Sequence, residues 1–298
     1  MRAFITGATG FLGSNLADTI KCPVVSLVRD QGTIIPKSTT CYGDLSDLPR
    51  LERILAEYQI DTVFHLAAQT EVGTAVRDPI GTWETNIRGT WNMLEACRRQ
   101  KVKRIIVSSS DKAYGRTEPP YLEDLPLRPD RPYETSKACV DLISRTYAAT
   151  YGMSIAVTRC TNLYGPGCLT LSTLIPNTIR RILRGERPII RNCGRMKRDW
   201  LYIGDAVEAY LQLASSEYVG AMNFGTGEAV TVADTVKLIL ELMDSDLEPI
   251  DEKDLHGEIV DQWTDASLAF RELGWAPCMN LRDGLDRTID WYIDNQER

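Results

Sequence analysis

Histidine is nearly missing from this 298-residue chain, which has only His65 and His256, and its eight cysteines contain no C-x-x-C pair. Two distant histidines leave little for a histidine-based metal site, so no metal is expected. The cysteines, at 22, 41, 97, 139, 160, 168, 193 and 278, are dispersed and read as reduced thiols rather than a zinc cluster or disulfide frame. No apolar run approaches the ~20 residues that span a bilayer, so no membrane partner is expected. The first residues, MRAFITGATG, lack the charged-then-apolar pattern of a secretory signal, and the expectation is a cytoplasmic protein. Basic residues are in deficit: 34 Lys and Arg stand against 41 Asp and Glu, a net charge of −7. That balance argues against a nucleic-acid partner, which needs a basic face. It leaves room for an anionic small substrate, because a local pocket can be positive on an acidic protein.

What is present is ordinary globular composition, 43% hydrophobic and 25% charged. This length suits one large α/β unit, or a dinucleotide-binding domain with a smaller one attached. Short apolar, β-branched runs at 3–6, 24–28, 62–66, 104–108 and 155–159 read as buried parallel strands. Amphipathic helices lie between them: Leu12, Leu16 and Ile20 recur on one face of the first, and Ile87, Trp91 and Leu94 mark a helix near 83–99. Such alternation predicts an α/β fold, a Rossmann-type doubly wound parallel sheet with a smaller C-terminal substrate-binding domain. Gly165-Pro166-Gly167 breaks the pattern. Residues 1–165 are therefore expected to form the dinucleotide-binding domain, rejoined by about 200–225, and 166–298 mainly the substrate-binding region.

Between the first strand and its helix runs Thr6-Gly7-Ala8-Thr9-Gly10-Phe11-Leu12-Gly13. Glycines there permit a tight turn, close approach to a pyrophosphate and close helix packing, and the helix start offers free N–H groups. Gly7, Thr9, Gly10, Phe11, Leu12 and Gly13 are thus expected to hold NAD or NADP. The second strand ends Val28-Arg29-Asp30. A carboxylate here suits a ribose 2′-hydroxyl and an arginine a 2′-phosphate; Arg29 directly follows the strand and tilts the expectation to NADP.

Tyr133 and Lys137 are four residues apart, hence on one helical face. A nearby ammonium favours the phenolate, so the tyrosine is expected to titrate below its ordinary value and take a hydroxyl proton as hydride leaves the same carbon.

The Gly-x-x-Gly-x-x-Gly spacing differs from the usual G-x-G-x-x-G. With the downstream Y-x-x-x-K it resembles the extended short-chain dehydrogenase/reductase family, in its NDP-sugar epimerase/dehydratase branch. The resemblance runs almost end to end, including Asn223-Phe224-Gly225-Thr226-Gly227 and Leu273-Gly274-Trp275. It implies that Asp44 and Leu45 contact the adenine, that Leu66, Ala67 and Ala68 line the cofactor after the fourth strand with His65 structural, and that Ser108 opens the active-site wall. Ser110 matches the family's catalytic Ser/Thr. Asn162 and Arg198 are implied as donors to a sugar diphosphate, Leu174 as a neighbour of the base or ribose, and Gln69, Thr70 and Glu71 as sugar contacts. Helices near 83–99 and 134–150 resemble those that pair into a dimer interface, so a homodimer is expected.

After Ser110 come Asp111 and Lys112, where the family's epimerases carry small or neutral residues and its dehydratases an acid–base pair. The pair resembles that of CDP-glucose 4,6-dehydratase-type enzymes. Oxidation at C4 of a hexose acidifies the C5 hydrogen; Lys112 is expected to remove it, and Asp111 to protonate the departing 6-hydroxyl. That requires Lys112 to be partly neutral, through desolvation or a neighbouring cation, and Asp111 partly protonated. The expected activity is an NDP-sugar 4,6-dehydratase. Alternatives are an NDP-sugar 4-epimerase, a 5,6-dehydratase, and, from another class, a cofactor-sensing binding protein.

Overall fold

The computed structural model describes residues 1–252 and 259–295; His256 lies outside them. Six strands come first: β1 (Ala3–Thr6), β2 (Val24–Val28), β3 (Thr39–Tyr42), β4 (Thr62–His65), β5 (Arg104–Ser108) and β6 (Ile155–Cys160). Helices α1 (Phe11–Thr19), α2 (Leu48–Glu57), α3 (Val72–Arg77), α4 (Pro79–Trp83), α5 (Gly89–Gln100) and α6 (Pro132–Tyr151) are interleaved with them. Short strands β7 (Asn162–Tyr164), β8 (Ile189–Arg191), β9 (Lys197–Arg198) and β10 (Trp200–Tyr202) follow, then β11 (Gly220–Phe224). The main sheet has the order β11-β6-β5-β4-β1-β2-β3, and every pairing is parallel. The order turns back at β1 and β4, which opens a crevice beyond the carboxyl ends of these strands, the usual ligand position in such sheets.

The strands form because their residues are buried on both faces: β1, β2, β4 and β6 are closed to solvent along their whole length. One face packs Leu16 and Ala17 of α1 with Ala206, Tyr210 and Leu213 from the helix Ile203–Ser215. The other packs Leu51, Ile54 and Leu55 of α2 with Met93, Leu94 and Cys97 of α5. Burial of each Leu or Ile contributes about 1.5–3 kcal/mol. A separate core of Tyr164, Ile175, Ile179, Trp200, Ile239, Leu285 and Ile289 holds the C-terminal segments together.

Three details refine the sequence reading. Strand β3 was not anticipated, because only Cys41 of its four residues is buried and the run lacks an apolar signature. Strand β11, within the 200–225 segment, does join the main sheet, in parallel with β6. The helix expected near 83–99 begins at Pro79 and passes through a π turn, Glu84–Arg88, before α5. That turn aims Asn86 inward, where it binds the backbone of Gln69 and the hydroxyl of Ser136.

His65 ends β4 in the interior. Its Nδ1 lies 2.8 Å from the Thr6 hydroxyl and its Nε2 3.0 Å from that of Thr90, which itself donates to the Asn86 carbonyl. This network suits the neutral ring with the proton on Nε2. Burial, with Lys137 nearby, lowers its pKa from 6.5 to about 3. The unfolded chain therefore binds a proton that the folded chain refuses between those two values. Stability from His65 is complete above pH 6.5 and is lost as pH falls toward 3. The variant His65→Gln should lose about 1–3 kcal/mol at neutral pH through broken buried hydrogen bonds. Its stability, measured by urea unfolding across pH, should decline less steeply through that acid window than the parent's.

Candidate active site

A cleft of about 1430 Å³ runs along the carboxyl ends of the strands. At one end its floor is backbone. Gly7 has φ +76°, and a Cβ there would come within 2.7 Å of the Ala67 nitrogen; one on Gly13 would come within 2.1 Å of the Gly7 carbonyl oxygen. Only glycine lets the β1 turn, the α1 helix and the chain leaving β4 close on one another. Helix α1 starts from Gly10 with no side-chain cap and no acid in its first turn, so its leading N–H groups face the cleft unpaired by side chains. This cradle fits the pyrophosphate of a dinucleotide. Thr9, Phe11, Leu12, Leu66, Ala67, Ala68, Asp44, Leu45 and Arg29 line the same end. Leu45 is held by α5: its carbonyl accepts from Asn92, and its side chain fills the space over Gly89.

Two expected residues are not brought to the cleft wall. Asp30 is exposed and accepts hydrogen bonds from Gly32 and Thr33. Gln69 ties its own loop together, donating to the Glu71 carbonyl and Thr82 hydroxyl and accepting from the Glu71 N–H. Its neighbours Thr70 and Glu71 do line the cleft.

Mid-cleft, Ser108, Ser110, Asp111, Lys112, Tyr133 and Lys137 converge. Helix α6 supplies the last two; Pro132 at its first position pre-sets the start of the helix. Lys137 is 3% exposed, donates to the Ser108 carbonyl at 2.8 Å, and is lowered by burial to about 8. Tyr133 departs from expectation. Burial, reinforced by the Asp111 carboxylate, raises its pKa, and the Ser110 hydroxyl beside it offsets only part of this. In the protein alone, desolvation outweighs the cation that the helical spacing supplies.

A 3₁₀ turn at Asp111–Tyr114 follows β5, capped by Ser110, whose Oγ accepts from the Lys112 N–H. The turn is anchored by Tyr114, which donates to Asn223, accepts from Arg159 and stacks on Tyr121. Arg159 in turn is paired with Asp141, both fully enclosed. This anchoring turns Asp111 and Lys112 inward. Asp111 is 1% exposed, accepts from Ser110 at 3.0 Å, and has its pKa raised by burial, in the direction an acid requires. Lys112 donates to Gln262 at 3.0 Å.

At the far end lie Asn162, Leu174 and Arg198. Asp199 is buried and accepts from Thr226, Gly227 and Thr264, which locks the turn that carries Arg198. Arg198 donates to the carbonyls of Lys197 and Val260, and Asn162 to that of Asp199.

Two residues of the site escaped the sequence reading. Gln262 bridges Lys112 and Asp111 from 150 residues away, and nothing in its surroundings marks it. Glu134 lies inside the Y-x-x-x-K stretch, where a first-turn acid reads as ordinary helix-start chemistry. It is nevertheless 3% exposed and lines the cleft. Burial raises its carboxyl to about 6, partly offset by Lys112.

The chain is similar to proteins of known activity. A dTDP-glucose 4,6-dehydratase from Streptomyces griseus is 32% identical, with 97% of this chain and 93% of the relative covered. The solved structure of DesIV, a dTDP-glucose 4,6-dehydratase from Streptomyces venezuelae with NAD bound, superposes with a TM-score of 0.91 at 28% identity, covering 100% of this chain and 98% of that one. A UDP-glucose 4-epimerase from Thermotoga maritima, solved with UDP-glucose, gives a TM-score of 0.94 at 29% identity, covering 99% and 100%. Residues 3–225 match the model of one family, and with the glycine cradle and the convergent side chains they identify the chain as a member of the NAD dependent epimerase/dehydratase family.

Proposed function

We propose that this chain is an NAD-dependent NDP-sugar 4,6-dehydratase. The observation that carries the reading is the inward placement of Asp111 and Lys112, in the same cleft as Tyr133 and Lys137. An epimerase has no use for such a pair. The full-length likeness to dTDP-glucose 4,6-dehydratases supports the same choice. The high structural score against a 4-epimerase does not oppose it, because fold alone does not select chemistry.

When bound, the nicotinamide supplies a cationic ring and a hydride acceptor at C4, and gives the hydride back at C6. Tyr133, ionised beside that ring and Lys137, takes the proton of the C4 hydroxyl, while Ser110 orients it. The resulting ketone acidifies C5. Lys112 takes the C5 proton, a carboxylic acid protonates the 6-hydroxyl as it leaves as water, and the Lys112 ammonium returns a proton to C5. Asp111 is the carboxyl that the sequence motif assigns to the leaving group. Asn162 and Arg198 serve the substrate diphosphate, where the arginine fork suits phosphate oxygens.

For the cofactor, NAD replaces the earlier tilt to NADP. The DesIV structure holds NAD. In this chain the Asp44 carboxylate lies near Arg29 and both line the cleft, so a 2′-phosphate there would meet an anion as well as a cation. We also read 1–165 with 200–225 as the cofactor-binding domain and 166–298 as mainly the substrate-binding region. Trp83, Trp91, Leu142 and Tyr151, exposed on the 79–100 and α6 helices, support a homodimer through that face.

Incubation with dTDP-, UDP-, CDP- and GDP-glucose in heavy water separates the readings. A 4,6-dehydratase forms a 4-keto-6-deoxy product lighter by one water, with solvent deuterium at C5; epimerisation at unchanged mass would replace this reading with the 4-epimerase. The variant Lys112→Ala should lower dehydration by about 10²–10⁴-fold, the usual worth of a general base, with NAD binding intact. Titration calorimetry should give tighter binding of NAD than NADP, and sedimentation should give a dimer.

A further inference from the structure

A second pocket lies outside the cleft and shares no lining residue with it. It opens between the helices Leu174–Leu183 and Leu281–Asp294 and holds about 80 Å³. At ~30 Å³ for each water of the liquid, that is room for a group the size of a phosphoryl. Its walls include Arg180, Arg184, Trp291, Tyr292 and Asn295. Leu174 and Asn177 of the first helix line the cleft, whereas Arg180 and Arg184 line this pocket. The stretch 180–187 carries four arginines against one acid, Glu186, in a chain of net charge −7. Arg181 pairs with Glu186 at 3.3 Å, and Arg187 donates to the carbonyls of Glu248 and Pro249. Arg180 and Arg184 make no hydrogen bond or ion pair among the described residues. Asp290 and Asp294 of the second helix are exposed and do not line the pocket. Two guanidiniums on one small pocket, with no carboxylate in its walls, favour an anion there.

This pocket has a wall in common with the cleft. Leu169 lines the pocket, while its neighbours Cys168, Thr170, Leu171 and Ser172 line the cleft. Tyr292 donates to the Cys168 carbonyl, and Asn177 to the Leu171 carbonyl at 3.1 Å. Ser172 in turn donates to Glu71, on the loop after β4, at 3.0 Å. The two helices that form the pocket thus also hold the segment 168–172. We propose that the pocket binds a phosphate ester of a small molecule, and that its occupancy stiffens this segment of the cleft wall. The phosphoryl group takes the two guanidiniums, whose forks match its oxygens. The half-buried indole of Trp291, edge-on to Tyr292 at 5.1 Å between ring centres, gives the organic part of the ester a flat apolar face. An anion shared between the two helices ties them together, and with them the anchors of Cys168 and Leu171. The site acts on the cleft from outside and stands whichever reaction the cleft performs.

The test titrates the NAD-saturated protein by calorimetry with phenyl phosphate and with inorganic phosphate. Phenyl phosphate should bind the parent, and the Arg180→Ser/Arg184→Ser variant should bind it about 10²-fold more weakly, with NAD affinity unchanged. Trp291→Leu should weaken phenyl phosphate by about threefold to tenfold and leave inorganic phosphate as it was, a difference that a merely misfolded variant does not produce. Hydrogen exchange of the amides in 168–172 should slow by about threefold or more when phenyl phosphate saturates the parent, and stay unchanged in the double arginine variant. Absence of binding to the parent overturns the site. Binding that survives in full without the two arginines does so too, and places the anion in the cleft. Equal affinity for the two probes in the parent reduces the ligand to a bare anion and strikes the ester. Binding without slowed exchange in 168–172 removes the link to the cleft wall.

Discussion

Contact between three backbones sets the whole site. Because Gly7 and Gly13 carry no side chain, the β1 turn, the start of α1 and the chain beyond β4 meet at distances that no other residue permits. Any Cβ at Gly13 would drive the helix away from the turn, and the unpaired N–H groups at its start would lose their aim. The parallel sheet makes that closure useful. It delivers β1, β4 and β5 to one edge with their carboxyl ends aligned, so the cleft-lining segment after β5 begins where the cradle ends.

A second constraint is dryness. The same burial raises Asp111, Glu134 and Tyr133 and lowers Lys137 and His65. One cause thus moves acids and bases toward their neutral forms, where proton transfer in either direction is cheapest. The protein sustains this through satisfied supports around the cleft-facing groups. Arg159 with Asp141 beneath Tyr114, and Asp199 with its four donors from Thr226, Gly227 and Thr264, are buried charges fully engaged by hydrogen bonds. They keep the turns rigid while the cleft-facing groups remain available.

Much of this was legible from residue order, and the reasons are local. The strands of the central sheet announce themselves because both faces are buried and the runs are continuously apolar. Tyr133 and Lys137 are readable because four residues make one helical turn. Thr39–Tyr42 was not, since an edge strand with a single buried residue carries no pattern. Gln262 was not, because its role depends on a chain reversal that brings it across 150 residues to Lys112. The pKa of Tyr133 went the opposite way because spacing reports a neighbour, whereas burial is a property of the finished fold.

The π turn at Glu84–Arg88 couples two parts of the site that share no strand. Asn86 on it grips the Gln69 backbone on one side and the Ser136 hydroxyl on the other, and Ser136 in turn caps back onto the Tyr133 carbonyl. An ordinary α-helical turn would need one residue fewer and would swing Asn86 round by about 100°. The wide turn therefore works as a spacer: it fixes how far the loop leaving β4 stands from the helix that bears Tyr133, and so how far apart two walls of the cleft are held.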